Sequence, residues 1–169
     1  KSLPADWLLV VKEQANAYQF RSREFYDRLR QIGNVVIATP EIHSWNWIKQ
    51  SKFVATITGT VSFESVYFKR PVLTYGRHQI VNQLPTVFSV SNYEDTKAVV
   101  HRIVSGAVSE NDLSLSSVAL YEAQSSISFE LDSFKDSYKT GLVDQNDVER
   151  ACTELLTRFP EVFSQTSAN

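Results

Sequence analysis

The sequence predicts an α/β domain, built as a parallel sheet with helices on both faces and followed by a segment that is helical only. Three observations carry this expectation. Five short, nearly continuous apolar runs lie before Gly106, with the length and texture of strands buried on both faces. Stretches with apolar residues at helical spacing separate them. After Gly106 no strand signal remains.

The elements follow in order. WLLVVK (Trp7 to Lys12) is the first strand. SREFYDRLRQIG puts Phe25, Leu29 and Ile32 at helical spacing, with Ser22 as the N-cap and Gly33 as the stop. NVVIATP is a second strand ending at Pro40, and HSWNWIKQSK a short helix with Trp45, Trp47 and Ile48 facing inward. FVATIT, TVSFESVYFK and PVLTY give the third strand, third helix and fourth strand, with Pro71 at a tolerated first-strand position. A loop from Gly76 to Pro85 leads to a fifth strand, TVFSV. The helix from about Glu94 to Val104 then offers Val99, Val100, Ile103 and Val104 as its apolar face. Alternation of this kind calls for right-handed crossovers and a parallel sheet, so residues 1–106 are expected to form a Rossmann-like domain. SENDLSLSS reads as a polar, serine-rich joint. Residues 107–160 read as a C-terminal helical segment packing on the domain, with helices over Ser117 to Tyr138 and Asp144 to Phe159, and residues 161–169 as a mobile tail.

Composition removes whole classes of partner. With 169 residues, 43% of them hydrophobic, the chain can bury one real core. A formal net charge of -2 leaves no overall basic field of the kind that nucleic acid or anionic lipid requires. No apolar run reaches the roughly 20 residues of a membrane span, and KSLPADW has no signal-peptide apolar region. Cys152 is the single cysteine, which excludes an internal disulfide and a cysteine-based zinc cluster; a buried, inert thiol in a reducing compartment is expected. His43, His78 and His101 share no metal-ligand spacing, so no metal site is expected. The chain has no methionine, not even an initiator, and further sequence is expected upstream.

The chemistry concentrates in TITGTVSFESVYFKRPVLTYG, from Thr56 to Gly76. Thr58, Gly59 and Thr60 fall between a strand and a helix, at the carboxyl edge where open parallel sheets bind ligands. A glycine there allows the backbone to turn and to approach a ligand, and the helix amides suit an anion. Glu64, one turn beyond Thr60, can point to the same edge. In the alternative, Thr60 only caps the helix and Glu64 only complements its dipole. Arg77 and His78 follow the fourth strand at the same edge and could meet a diphosphate. Arg21, Arg23 and His101 read as surface residues.

This string resembles the donor-site motif of capsule polysaccharide synthesis glycosyltransferases, a Kdo-transferase-like group of GT-B-fold enzymes. Their pattern is roughly T-x-T-G-T-x-G-x-E-A followed by G-K-P-V-L-x-x-G. Upstream, VVKEQANAYQFRSREFYDRL is similar to the family's strand, Lys-x-His-Pro turn, arginine and F-Y-x-x-L helix, so the likeness spans about Trp7 to Val104. The resemblance implies the C-terminal, donor-binding half of a two-domain enzyme that transfers a sugar from a nucleotide-activated donor to a polysaccharide or glycolipid acceptor. It implies that Thr58, Gly59 and Thr60 meet donor phosphate, that Glu64 meets ribose or sugar hydroxyls, that Lys12 and Glu13 stand at the rim, and that Gln14 holds the donor-binding position of a family histidine. The general base would belong to a missing N-terminal Rossmann-like domain, no cofactor would be required, and CMP-linked donors rank slightly ahead of UDP-linked ones. The expected location is the cytoplasm, with partners able to hold the enzyme at the inner face of the membrane. Two departures stand out. Gln14 and Ala15 replace His-Pro, so a neutral amide stands where the family has a histidine. Ser62, Ser65 and Lys69-Arg70 replace the second glycine, the alanine and the Gly-Lys pair. The alternatives are a sugar-nucleotide epimerase or glycerophosphotransferase, and, in another class, a non-catalytic sugar-nucleotide-binding module. The sequence upstream of Lys1 would discriminate between enzyme and module.

Overall fold

A computed structural model describes residues 3–14, 20–129 and 144–160. The chain divides into two compact units, Lys1–Leu120 and Tyr121–Asn169. The first holds β1 (Leu9–Val11), α1 (Arg23–Arg30), β2 (Val35–Ile37), α2 (Ser44–Gln50), β3 (Val54–Thr56), α3 (Val61–Tyr67), β4 (Val72–Thr74), β5 (Val87–Ser89) and α4 (Tyr93–Val104). A 3₁₀ turn, Ile80–Gln83, precedes β5. α5 (Glu110–Ile127) runs from the first unit into the second, which also holds α6 (Gln145–Arg158).

All strand pairs are parallel, as the alternation of elements predicts, but they form two small sheets. β1 pairs with β2, matching Leu9 to Val35, and β3-β4-β5 form the other, matching Val54 to Val72 and Val72 to Val87. Among the described residues no hydrogen bond joins β1 to β3. Between them lies a cleft of about 420 Å³ lined by Leu9, Lys12, Trp47, Phe53 and Val54. The rings of Trp7 and Phe53, 6.3 Å apart, meet at its strand-entry end.

The second sheet is the better covered. β4 is buried throughout, and its alternating side chains reach two cores. Val72 joins Val66 of α3, Val81, Val87 and Leu120 of α5 on one face. Leu73 joins Val90 and Val100 of α4 on the other, so this sheet does carry helices on both sides. β1 and β2 depart from the expected two-sided burial: Leu8, Leu9 and Val36 are exposed.

Capping accounts for most helix ends. The Ser22 hydroxyl accepts from the Phe25 amide at 3.3 Å and opens α1. Its buried residue is Tyr26, whereas Ile32 is exposed, because the helix stops at Gln31, before the expected Gly33. Of the three residues of α2 expected to face inward, Ile48 is buried, Trp47 half-buried and Trp45 exposed; Trp45 packs instead edge-on against Phe68, 5.6 Å between centroids. α3 closes in a Schellman motif, with the Arg70 amide donating to the Ser65 carbonyl at 2.8 Å and the Lys69 amide to Val66 at 3.0 Å. Lys69 therefore takes φ 54°, in the left-handed region that favours glycine. α4 starts at Asn92, whose side chain accepts from the Asp95 amide. Hydrogen bonds from Ser91 and Asn92 to Asp95 hold its carboxyl below the ordinary aspartate value.

Residues 110–117, read from the sequence as part of a serine-rich joint, are helical. The Ser109 hydroxyl accepts from the Asp112 amide at 3.1 Å and donates to its carboxylate at 2.7 Å, while Leu113, Ser116 and Leu120 bury one face. α5 ends at Ile127; the part of the expected helix beyond residue 129, like the tail 161–169, lies outside the described residues. In the second unit Asp144 caps α6, and Arg158 donates to the Ser126 and Ser128 carbonyls at 3.2 Å. Cys152 is exposed on α6, not buried as expected, because it lies off the side that carries the buried Asp147. Among the described residues no helix is long and apolar enough to cross a membrane.

Candidate functional site

Thr58, Gly59 and Thr60 form the exposed loop between β3 and α3, at the carboxyl edge of the second sheet. The Thr56 hydroxyl accepts from the Gly59 amide at 3.2 Å, and the Gly59 carbonyl accepts from the Ser62 amide and hydroxyl at 3.1 and 2.8 Å. Gly59 is not among the residues with positive φ, so the turn itself does not require glycine there. A Cβ at this position would lie 3.1 Å from the Thr56 hydroxyl and otherwise meet only Val61, which leaves the outer side open.

Thr60 occupies the N-cap position of α3 in helical conformation, and its side chain makes no capping bond. Among the described residues the amides of Thr60 and Val61 find no acceptor. The Thr60 amide and hydroxyl lie on the exposed loop, and the Val61 amide opens the half-buried first turn of α3. Glu64, half-buried on the next turn, accepts from the Ser44 hydroxyl at 3.1 Å and ties the start of α2 to α3. At that start the His43 ring accepts from the Trp45 amide at 3.3 Å through Nδ1.

The loop after β4 is built into the same wall. The Gly76 amide donates to the Ile57 carbonyl at 2.9 Å, and a Cβ on Gly76 would fall 2.5 Å from that oxygen and 2.6 Å from a Thr58 methyl. It is Gly76, not Gly59, that the packing of the protein obliges to be small. Gln79 also donates to Ile57, at 2.6 Å, and its carbonyl oxygen lies 3.2 Å from the Ser62 hydroxyl. Asn82 pins the loop by donating to the Gly76 and Arg77 carbonyls, while its own oxygen accepts from Thr74 at 2.7 Å. Arg77 and His78 are thus carried beside the threonine loop, both exposed, and among the described residues neither side chain has a partner.

Lys12, Glu13 and Gln14 follow β1, at the carboxyl end of the first sheet. The Lys12 ammonium donates to the Pro40 carbonyl at 3.3 Å. Both Glu13 oxygens are engaged, one by the Tyr26 hydroxyl and the other by Arg21 Nε at 3.3 Å. Gln14 is exposed, and Ala15 lies outside the described residues. Arg21 and Arg23 are surface residues, as expected, Arg23 facing Asp27 at 3.8 Å. His101 is exposed on α4.

The structure therefore places Thr58, Gly59, Thr60, Arg77 and His78 on two adjacent loops of the second sheet, with Glu64 on the helix that follows the first of them, and Lys12, Glu13 and Gln14 after β1 of the first sheet. Sequence reasoning missed the supports, Ser44, Ser62, Gln79 and Asn82. Only the buried hydroxyls at Ser62 and Ser65 had a signal, since small residues at one-turn spacing mark a helix face held close to a neighbour. No family model matches this chain, and no curated protein or solved structure matches it.

Proposed function

We propose that the carboxyl edge of β3 and β4 binds a nucleotide-activated sugar, and that the chain is the donor-binding half of a glycosyltransferase of surface polysaccharide synthesis. One observation carries the reading: Thr60 sits at the head of α3 without capping it, so its hydroxyl and the adjoining amides are not consumed by the helix they begin. Donors left unused where the exposed loop enters α3 suit a phosphate. Arg77 and His78 supply cations from the next loop, and Glu64, oriented by Ser44, supplies an acceptor for ribose or sugar hydroxyls.

In this scheme catalysis is mainly electrostatic. Preorganised donors stabilise charge on the departing phosphate, and a base on a second Rossmann-like domain deprotonates the polysaccharide or glycolipid acceptor. CMP-linked donors rank slightly ahead of UDP-linked ones. The neutral Gln14 in place of a family histidine favours a second reading, a module that binds the sugar nucleotide without turning it over. A partner domain with a carboxylate or histidine in a cleft-facing loop would decide for the enzyme.

Calorimetric titration with CMP, UDP and GDP tests binding. At least one nucleotide is expected to bind, and with its sugar conjugate Glu64→Gln should weaken affinity by about 1–3 kcal/mol, the loss typical of a hydrogen bond to a charged group. No binding by any of the three nucleotides would overturn the proposal.

A further inference from the structure

The near-neutral total charge conceals a strong local asymmetry. Between Ile42 and Tyr93 the chain carries five Lys or Arg residues, Lys49, Lys52, Lys69, Arg70 and Arg77, against a single carboxylate, Glu64. Glu64 and Arg77 belong to the carboxyl edge described above. The other four cations lie at the opposite edge, where α2 and α3 end and β3 and β4 begin.

There they form one surface. Arg70 donates to the Lys49 carbonyl at 2.6 Å, which fixes the end of α3 against the end of α2. The Phe68 ring contacts both the Lys49 ammonium, 5.0 Å from its centroid, and the Trp45 ring, 5.6 Å away. Lys49, Lys52 and Lys69 are exposed, and none of the four cations has an ion-pair partner among the described residues. Two amphipathic aromatics share these helices, Trp45 at 47% exposure and Tyr67 at 38%.

We propose that this basic, aromatic edge of α2 and α3 docks the protein on an anionic lipid surface. Charge complementarity selects an anionic partner, and the aromatics choose between sources of anion. An exposed tryptophan one helical turn from a lysine suits the headgroup layer, where the ring lies among acyl carbons and the ammonium meets phosphate. Three exposed lysines, each worth about 1 kcal/mol beside a phosphatidylserine-rich surface, supply the attraction, while the half-buried Arg70 holds the two helix ends together. The sugar-nucleotide site, at the other edge, would stay open to solvent.

Sedimentation of the protein with vesicles tests this. Binding is expected to vesicles of 70% phosphatidylcholine and 30% phosphatidylserine at 0.1 M salt, not to pure phosphatidylcholine, and to fall steeply at 0.5 M salt. The triple variant Lys49→Gln, Lys52→Gln, Lys69→Gln should bind about a hundredfold more weakly, at about fivefold per basic residue. A matched variant, Arg23→Gln, Arg28→Gln, Lys97→Gln, makes the same change in net charge elsewhere and should bind as the parent does. Failure of the parent to sediment with the anionic vesicles would overturn the proposal. Equal losses in the two triple variants would reduce it to overall charge, and tighter binding to polyglutamate than to vesicles would assign the surface to an acidic protein. Trp45→Ser, which leaves every charge in place, should weaken vesicle binding severalfold and leave binding to polyglutamate unchanged.

Discussion

Two glycines border the candidate site, and exchanging each for alanine should separate ligand approach from packing. At Gly59 the added Cβ would lie 3.1 Å from the Thr56 hydroxyl and 3.4 Å from a Val61 methyl, both side-chain atoms able to shift by a few tenths of an ångström. The stability cost should be small, within about 0.5 kcal/mol, as for surface substitutions that touch nothing fixed. At Gly76 the Cβ would lie 2.5 Å from the Ile57 carbonyl oxygen, a backbone atom held by the Gly76 amide and by Gln79. Relief requires β3 and β4 to part at their carboxyl ends, and overpacking of this kind costs about 1–3 kcal/mol. Thermal unfolding and nucleotide titration on the same two variants give the comparison. Gly59→Ala should keep its melting temperature and lose most of its affinity, because the methyl projects where phosphate would meet the backbone. Gly76→Ala should melt several degrees lower, by roughly 2–4 °C per kcal/mol for a chain of this size. Undiminished nucleotide affinity in Gly59→Ala would refute the close-approach argument. An unchanged melting temperature in Gly76→Ala would refute the packing argument.

Two further predictions concern stability alone. Lys69→Gly should stabilise the protein by about 0.5–1 kcal/mol, because the left-handed conformation at φ 54° costs an L-residue about 1–2 kcal/mol and glycine returns only part of that as unfolded-state entropy; Lys69→Ala should gain nothing, and a urea midpoint equal in both variants would contradict this. Ser116→Ala should be neutral or stabilising, since among the described residues the buried Ser116 hydroxyl has no partner and its desolvation costs about 1–3 kcal/mol; a clear drop in the urea midpoint would show that the hydroxyl is satisfied.

Much of the architecture was legible without coordinates. Strand texture and helical spacing are local properties, so the order of five strands, the parallel pairing and the Ser22 cap could be read from the residues themselves. The S-E-N-D capping signal at Ser109 was legible too, but the serine content of the segment outweighed it. Gly59 was singled out because so few glycines occur in the chain, and its neighbours Thr58 and Thr60 came with it.

What the sequence by itself determined, then, was the set of elements and the loop that ends β3, because both depend on neighbours a few residues apart. The tertiary structure decided which residues share that loop's surroundings. Gly76 against Ile57, Gln79 against Ser62 and Ser44 against Glu64 are contacts across 17 to 20 positions of chain. No periodicity encodes them, since they follow from how two loops pack once the strands are paired. Tertiary packing also parted β1 from β3, with Trp47 and Phe53 lining the gap, and collected four cations from the ends of two helices onto one edge. Net charge and periodicity sum or repeat along the chain, whereas a surface depends on which chain ends meet in space.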